Sequence, residues 1–295
     1  MELLKNHNYL VKITKLKSYC KINLSLKVIK RLSNGYHNIT SLITFTEIHD
    51  VILIFKSKSL KDHISFSGKF KKGINKKTNT VTKVLDLLRK KKLIEKKFFN
   101  INIIKNIPHG SGLGGGSSNA ASILNFFNKK MNLNKIKLQS LAKEIGFDTP
   151  INLEKKNTFL TGKKDKFIRI NEKLNLILLI VYPNLICSTK TIYRKNKKIS
   201  PTKIRPFINI KNKKHLNIFL KNENNDLENT VTKIYPKVGE VIDYIKLQKG
   251  CYFSRITGSG SACIGIFSNK VSAIYAQKAI RLKYPKYWSV VSKTI

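Results

Sequence analysis

Hydrophobic and polar residues alternate in the first part of this chain of 295 residues. Residues 22–28 alternate apolar and polar side chains, residues 51–55 form a second run rich in β-formers, and Asn34-Gly35 lies between the two runs. A period of two residues predicts strands, and Asn-Gly predicts a tight turn. The first quarter of the chain is therefore predicted to be rich in strands.

The spacing becomes that of a helix near residue 80 and again after the glycines that follow Pro108. Four apolar residues recur at i, i+3, i+4 and i+7 and predict a helix over 79–91: Val81, Val84, Leu85 and Leu88. Alternation over 99–103 predicts a strand that leads into Pro108. Helical spacing then predicts one helix from near Ser117 and another over 135–145, ended by Gly146.

The later half begins with a continuous apolar run over 176–182, which predicts a buried strand. The basic, polar stretch over 154–172 precedes that strand, so we place a domain boundary there and divide the chain into 1–165 and 166–295. The pattern further predicts helices near 226–235 and 238–247, a strand over 262–267 and a helix over 270–281. These segments predict an α+β fold with two domains.

Composition narrows the class of protein. The longest strongly apolar run is far shorter than the roughly 18 residues that a membrane span needs, and Lys or Asn interrupts every apolar run before residue 27. The start of the chain therefore lacks the apolar core of a secretory signal, and we expect a cytoplasmic protein. The cysteines form no C-x-x-C pair and the histidines no ligand pair, so neither a disulfide framework nor a transition-metal site is predicted.

The formal net charge of +42 makes nucleic acid the first partner to consider. Only seven of the 58 basic residues are Arg, the residue best suited to bidentate recognition of bases and phosphates. The lysines are spread along the chain together with Asn and Ile and form no single basic stripe. Specific nucleic-acid binding is therefore disfavoured, and most lysines are predicted to be solvated.

A glycine-rich segment lies between the predicted strand at 99–103 and the next helix. A strand, a glycine-rich turn and a helix start together present free N–H groups and the positive end of a helix dipole, an arrangement that suits phosphate. Ser117 and Ser118 could cap the helix or hold a phosphate-bound cation. The predicted phosphate-binding residues are Pro108, His109, Gly110, Ser111, Gly112, Leu113, Gly114, Gly115, Gly116, Ser117 and Ser118.

Two common phosphate motifs do not fit this segment. A P-loop needs Lys where Gly116 stands, and the dinucleotide fingerprint needs an acid about 20 residues after its glycines, whereas the next acid is Glu144. The segment instead resembles the ATP-binding motif of the GHMP kinases. Lys21-Ile-Asn-Leu, Gly35-Tyr-His, Gly146-Phe-Asp-Thr-Pro and Thr257-Gly-Ser-Gly-Ser resemble further motifs of that family, in order along nearly the whole chain.

The resemblance implies a fold and catalytic residues. The fold would combine an N-terminal ribosomal-protein-S5-like domain with a C-terminal ferredoxin-like α/β domain. Asp148 and Lys21 match the family's catalytic aspartate, which would act as the base, and its active-site lysine, although by spacing alone Asp148 could equally cap the helix that Pro150 begins. Asn23 would share a strand face with Lys21 and either orient the substrate or make a structural hydrogen bond.

The resemblance also implies the ligands. ATP would be the co-substrate, with Asn79 bordering the adenine pocket, and Mg²⁺ is expected with it; Ser117 is the one side chain that we suggest for contact with the ion. The closest branch of the family phosphorylates a cytidine diphosphate-linked methylerythritol in isoprenoid precursor synthesis. Tyr36, His37 and Tyr193 would hold its base, although by pattern alone Tyr36 could pack in the core.

Overall fold

The computed structural model describes residues 12–161, 166–201 and 213–295. In chain order the elements are β1 (Thr14–Asn23), β2 (Lys27–Arg31), β3 (His37–Lys56), β4 (His63–Ser67), α1 (Thr80–Lys90), β5 (Phe99–Ile104), α2 (Gly115–Met131), α3 (Lys135–Ile145), α4 (Thr149–Asn152), β6 (Asn157–Thr161), β7 (Phe167–Ile170), β8 (Ile177–Tyr182), α5 (Thr189–Lys195), α6 (Lys213–Asn222), α7 (Glu228–Ile234), α8 (Pro236–Lys246), β9 (Cys251–Ile256), β10 (Cys263–Phe267), α9 (Lys270–Lys283) and β11 (Trp288–Lys293). Among the described helices, none combines the length and the apolar character that a membrane span requires.

These elements form two compact units, each assembled from separate stretches of chain. The first unit contains residues 12–20, Ile48–His109 and Gly114–Glu154, and the second contains Lys21–Glu47, Gly110–Leu113 and the described residues after 154. Within the glycine-rich segment, Gly110–Leu113 therefore belong to the second unit, and the residues on either side belong to the first. The boundary after residue 165 describes two contiguous domains and stays a prediction.

The first unit packs helices on strands. Strand β5 pairs in parallel with β4 and antiparallel with the second half of β3, where Val51 lies opposite Ile104. Alternation along β5 turns Ile101 and Ile103 into the core, as the sequence pattern predicts. Helix α1 buries the four residues that predicted it and packs against α2 and α3.

The second unit contains a four-stranded antiparallel sheet in the order β11-β8-β10-β9. With α9 between β10 and β11, this order is that of a ferredoxin-like sheet. Strand β8 lies between β10 and β11 and is buried from Leu178 to Tyr182, which confirms the predicted buried strand. In the same unit the first half of β3 pairs with β2 and β6, and β6 pairs with β7. The predicted α+β fold is confirmed.

The alternating run over 22–28 is divided between two strands, because β1 ends at Asn23 and β2 begins at Lys27. Polar groups at Ser25 cause the break. The Ser25 hydroxyl accepts the Leu42 N–H at 3.2 Å, and the Ser25 carbonyl accepts the Ser41 hydroxyl at 2.5 Å. Hydrogen bonds from side chains thus replace strand pairing at this residue, which alternation of apolar and polar residues does not indicate.

Helix α2 begins at Gly115, two residues before the predicted start near Ser117. Glycine has a low helix propensity, and the apolar spacing begins only at Ala120. Packing explains the earlier start: a side chain at Gly115 would press on Ile107 at 3.1 Å and on the Lys105 ammonium at 3.3 Å. Glycine at this position avoids a tight contact at the first residue of α2.

Lys105 forms a buried ion pair with Asp50 in the first unit. Their side chains are 3% and 0% exposed, and the other carboxylate oxygen of Asp50 accepts the N–H groups of Asn106 and Ile107, both at 2.8 Å. Asp50 therefore fixes the chain immediately before Pro108. Removing either member of this ion pair would leave the other as an unpaired buried charge, which strongly destabilises a protein.

We expect Asp50→Ala to lower the free energy of unfolding by about 3–5 kcal/mol, because it leaves a buried ammonium and two N–H groups unpaired. Unfolding in urea, followed by circular dichroism, measures this loss. Glu144→Ala is the control, since it breaks an ion pair with Lys91 whose side chains are 45% and 44% exposed. That change should stay within about 0.5 kcal/mol, and equal losses for the two variants would contradict the expectation.

Candidate active site

The glycine-rich segment ends at the N-terminus of α2, whose N-cap residue is a glycine and supplies no side-chain acceptor. Gly110, Gly112 and Gly114 have φ of 64°, 82° and 67°, and the N-cap residue Gly114 makes no side-chain cap hydrogen bond. By contrast, Asn79 and Asn269 each accept N–H groups at the starts of α1 and α9. The first-turn N–H groups of α2 lack such a side-chain acceptor, and the helix dipole adds positive potential there, so the site suits an anion.

The Ser118 hydroxyl bonds to the backbone of β1 and not to the start of its own helix. It donates to the Tyr19 carbonyl at 2.7 Å and so attaches α2 to β1 within the first unit. This contact is not a helix cap, and the predicted place of Ser118 in the phosphate site stays a prediction. Ser117 is half-buried on the first turn of the same helix.

Residues 110–113 contact a second glycine-containing turn, at 257–262, in the second unit. A Cβ atom on Gly112 would overlap the Thr257 carbonyl oxygen, and the Ala262 N–H donates to the Ser111 carbonyl at 3.0 Å. The Lys21 N–H donates to the Leu113 carbonyl at 3.1 Å. The two backbones therefore approach closely, which requires glycine at residue 112.

The 257–262 turn is closed by its own backbone and also binds β1. The Thr257 N–H donates to the Ala262 carbonyl and the Gly260 N–H to the Thr257 carbonyl, both at 3.0 Å. The Thr257 hydroxyl accepts the N–H of Asn23 at 2.8 Å. The turn thus both leads into β10 and supports the segments that carry Gly112 and Asn23.

Lys21 and Asn23 lie on one face of β1, as their spacing predicts. The Lys21 ammonium, in a side chain that is buried, donates to the Asn23 side-chain oxygen at 3.0 Å. The Asn23 side-chain nitrogen donates to the Ser41 hydroxyl at 2.7 Å. Asn23 therefore orients Lys21, and its contact with a substrate stays a prediction.

Asp148 directly precedes the short helix α4. It occupies the N-cap position, but its side chain makes no cap hydrogen bond; instead its carbonyl accepts the Asn152 side-chain N–H at 2.6 Å. The alternative interpretation, in which the carboxylate caps this helix, is wrong. The residue is half-buried, which leaves part of it accessible to solvent.

The aromatic residues predicted to hold a base lie in the second unit. Tyr36 is 52% exposed, so the alternative that it packs in the core is wrong. The rings of His37 and Tyr193 have centroids 5.1 Å apart at an angle of 39°. Burial, and then the charge of Arg31, lower the pKa of His37 and favour its neutral form.

Asn79 serves as the N-cap of α1, where its oxygen accepts the N–H groups of Val81 and Thr82. The next residue, Thr80, donates its hydroxyl to the Gly116 carbonyl at 2.9 Å, so the start of α1 contacts the start of α2. The sequence did not indicate Thr80 or Ser41, and its motif at 257–261 did not indicate that Thr257 accepts the Asn23 N–H. Threonine and serine are too common on surfaces for their type to have indicated these contacts.

Gly112→Ala and Gly35→Ala separate backbone strain from close packing. Both residues have φ near 80°, at 82° and 80°, but a Cβ at Gly35 would meet nothing within 4 Å. We expect Gly35→Ala to lower stability by about 1–2 kcal/mol through strain alone. Gly112→Ala should lower it by a further 2 kcal/mol or more, on the order of other overpacked sites. Urea unfolding measures both, and equal losses would contradict the close approach.

The chain is similar to known kinases of one family. The family described as "GHMP kinases N terminal domain" matches residues 79–153, and "GHMP kinases C terminal" matches residues 210–286. The 4-diphosphocytidyl-2-C-methyl-D-erythritol kinase of Pelagibacter ubique is 38% identical over 95% of this chain and 99% of its own, and that of Caldanaerobacter subterraneus is 30% identical over 95% and 96%.

Solved structures agree at the level of the fold. A crystal structure of 4-(cytidine 5'-diphospho)-2C-methyl-D-erythritol kinase superposes with a TM-score of 0.74 at 23% identity, covering 95% of this chain and 99% of that one. Homoserine kinase from Cytophaga hutchinsonii gives 0.70 at 16% identity, covering 100% and 97%. The chain belongs to the GHMP kinases and, within them, to the family of 4-diphosphocytidyl-2-C-methyl-D-erythritol kinases.

Proposed function

We propose that this chain transfers the γ-phosphoryl group of ATP to the 2-hydroxyl of 4-diphosphocytidyl-2-C-methyl-D-erythritol, in the non-mevalonate synthesis of isoprenoid precursors. The products are the 2-phosphate and ADP. The observation that carries the proposal is the N-terminus of α2, which follows a glycine N-cap at the end of a glycine-rich segment, in a chain whose relatives bear this kinase name.

In this proposal residues 108–118 hold the triphosphate through backbone N–H groups, and Asn79 borders the adenine. Mg²⁺ accompanies ATP; it keeps several waters and phosphate oxygens as ligands and therefore needs few protein ligands. The half-buried hydroxyl of Ser117, on the first turn of α2, fits a single contact of this kind. The ion would neutralise charge on the phosphates.

Phosphoryl transfer needs positioning, neutralisation of charge and one group that acts on the attacking hydroxyl. The Asp148 carboxylate accepts the hydrogen bond of the 2-hydroxyl and takes up its proton as the new O–P bond forms. The bond between the γ-phosphorus and the β-phosphate oxygen breaks, and that oxygen leaves with ADP. The Lys21 ammonium stabilises negative charge on the transferring group. Asn23 fixes the direction of that ammonium, as its 3.0 Å hydrogen bond supports.

The cytosine of the substrate would lie against Tyr36, His37 and Tyr193. A flat base suits aromatic side chains, and a neutral imidazole can both donate and accept hydrogen bonds to its edge. The exposure of Tyr36 and the pairing of the other two rings support this assignment. Other small alcohols that GHMP kinases phosphorylate carry no base and would not use these residues.

An ATP-turnover assay with the cytidyl substrate, homoserine, mevalonate and galactose tests the function. We expect turnover only with the cytidyl substrate, and a new phosphate monoester in the ³¹P spectrum of the product. Turnover with another alcohol and none with the cytidyl substrate would assign the chain a different reaction.

Asp148→Asn should reduce kcat by at least about 10²-fold, because the amide keeps the shape but loses the charge and the acceptor strength that the hydroxyl requires. The Kd of ATP, measured by calorimetry, should change less than about threefold, since the substitution adds and removes no phosphate contact. Asp86→Asn, at an exposed residue of α1, is the control and should leave kcat unchanged. An unchanged kcat for Asp148→Asn removes this residue from the proposed role.

Tyr36→Ala should raise KM for the cytidyl substrate about 5- to 100-fold, the range expected when one base loses an aromatic stacking partner. The KM for ATP should stay the same. Because Tyr36 is 52% exposed, the melting temperature should fall little. Steady-state kinetics with each substrate varied in turn gives both constants, and equal increases in the two KM values would argue against a contact with the base.

A further inference from the structure

Three polar residues of the segment 225–228, which leads into α7, use their side chains to bind the backbone of other segments of the second unit: Asn225, Asp226 and Glu228. Asn225 and Asp226 are 5% and 1% exposed. Such buried polar groups are costly unless they are fully bonded, so their partners indicate what the segment holds in place. None of these residues has a role in the proposed chemistry.

Asn225 fixes the turn at 257–262. Its side-chain nitrogen donates to the Gly258 carbonyl at 2.8 Å and to the Ile256 carbonyl at 3.2 Å. Its side-chain oxygen accepts the Leu227 N–H at 3.0 Å. Both ends of the amide are therefore engaged, and its orientation is set by three backbone groups.

A continuous set of short contacts leads from this turn to Lys21. Thr257, next to both bonded carbonyls, accepts the Asn23 N–H at 2.8 Å, and Asn23 in turn accepts the Lys21 ammonium at 3.0 Å. A Cβ on Gly258 would lie 3.0 Å from the Gly112 carbonyl and 3.4 Å from the Asn23 side-chain oxygen. A displaced turn would thus press on both residues.

The neighbours of Asn225 hold the segment itself. Asp226 accepts the Val28 N–H at 2.8 Å and the Ser200 hydroxyl at 2.7 Å, and it forms an ion pair with Lys198 at 2.9 Å. Glu228 accepts the Ile256 N–H at 2.9 Å. Through Asp226 the segment is anchored to residues outside the turn, which lets Asn225 act as a fixed support, while Glu228 adds a bond to the residue that precedes the turn.

We propose that Asn225 is a positioning residue for phosphoryl transfer: through the turn at 257–262 it sets the place of the Lys21 ammonium and of the Gly112 backbone. The expected effect on kcat rests on the proposed function. The expected effect on the position of Lys21 and Gly112 does not. Asn225 acts through Thr257 and Asn23 and needs no contact with either substrate.

Asn225→Ala tests the proposal with Asn157→Ala as a matched control. Asn157 is also a buried asparagine of the second unit, and it donates to the Glu172 carbonyl at 2.7 Å and accepts the Thr44 hydroxyl at 2.7 Å. Each variant therefore loses a side-chain amide that donates to a backbone carbonyl and accepts one hydrogen bond. Thr257→Val is a second test, because it keeps the side-chain shape and removes only the acceptor for Asn23.

Hydrogen exchange of backbone amides gives a readout that does not depend on the substrate. In Asn225→Ala and in Thr257→Val, the Asn23 amide should exchange at least about tenfold faster, because its hydrogen bond to residue 257 is weakened or lost. In Asn225→Ala, Lys21 and Ala262, which bond to Leu113 and Ser111, should follow. Asn157→Ala should leave all three amides protected. Faster exchange confined to the turn, with Asn23 unchanged, overturns the proposal.

Kinetics gives the second readout. We expect kcat of Asn225→Ala to fall on the order of tenfold or more, with KM for each substrate changed less than about threefold, because catalysis is sensitive to small displacements of a charged group. Asn157→Ala should lose similar thermal stability and keep its kcat. A lowered melting temperature with an unchanged kcat for Asn225→Ala shows a structural role only. If the wild-type chain does not phosphorylate the cytidyl substrate, the proposed function fails, and the exchange data still decide whether Asn225 positions Lys21.

Discussion

The close approach of two backbones, at Gly112 and at Thr257, is the constraint on which the arrangement of Lys21 and Asn23 in the second unit depends. No side chain fits between them, so their separation is fixed by main-chain contact and by the hydrogen bond from Ala262 to Ser111. Main-chain contacts vary less than side-chain contacts, which can change rotamer. Lys21 shares in this rigidity, because its own N–H binds the Leu113 carbonyl.

The few acidic residues show which charges the fold requires. The chain has 16 acids against 58 basic residues, yet Asp50 and Asp226 are buried and each binds both a lysine and backbone N–H groups. A lysine on the surface can replace another polar residue at little cost, whereas a buried acceptor of N–H groups cannot be replaced by a cation. The excess of positive charge is therefore carried by positions that the fold does not constrain.

Much of the fold could be predicted from the sequence, and the exceptions have physical causes. The amphipathic spacing of α1 and the apolar run of β8 reflect burial directly, so both were predicted well. The break at Ser25 and the start of α2 at Gly115 depend on hydrogen bonds and close contacts with residues distant in sequence. Local patterns contain no information on such contacts.

In the candidate site, too, some residues were indicated by the sequence and others only by their contacts. Motifs indicated Lys21, Asp148 and the glycine-rich segment, because their chemistry requires particular residue types at fixed spacing. Thr257 lies within one of the motifs, but its contact with Asn23 was not indicated, and Asn225 was not indicated at all, since an asparagine that supports a turn looks like any other in the sequence. Only their hydrogen-bond partners show what these residues do. Thr257, for example, binds Asn23, which lies more than 200 residues away in the sequence.

The order of strands in the second unit has a consequence for folding. Strand β8 is apolar along its whole length, and its partners β10 and β11 lie about 80 and 100 residues later in the chain. Such long closures are slow, and until they form β8 exposes a segment of the kind that promotes aggregation. A net charge of +42 makes partly folded chains repel one another during that interval, so the unconstrained lysines reduce self-association at the stage when β8 is unpaired.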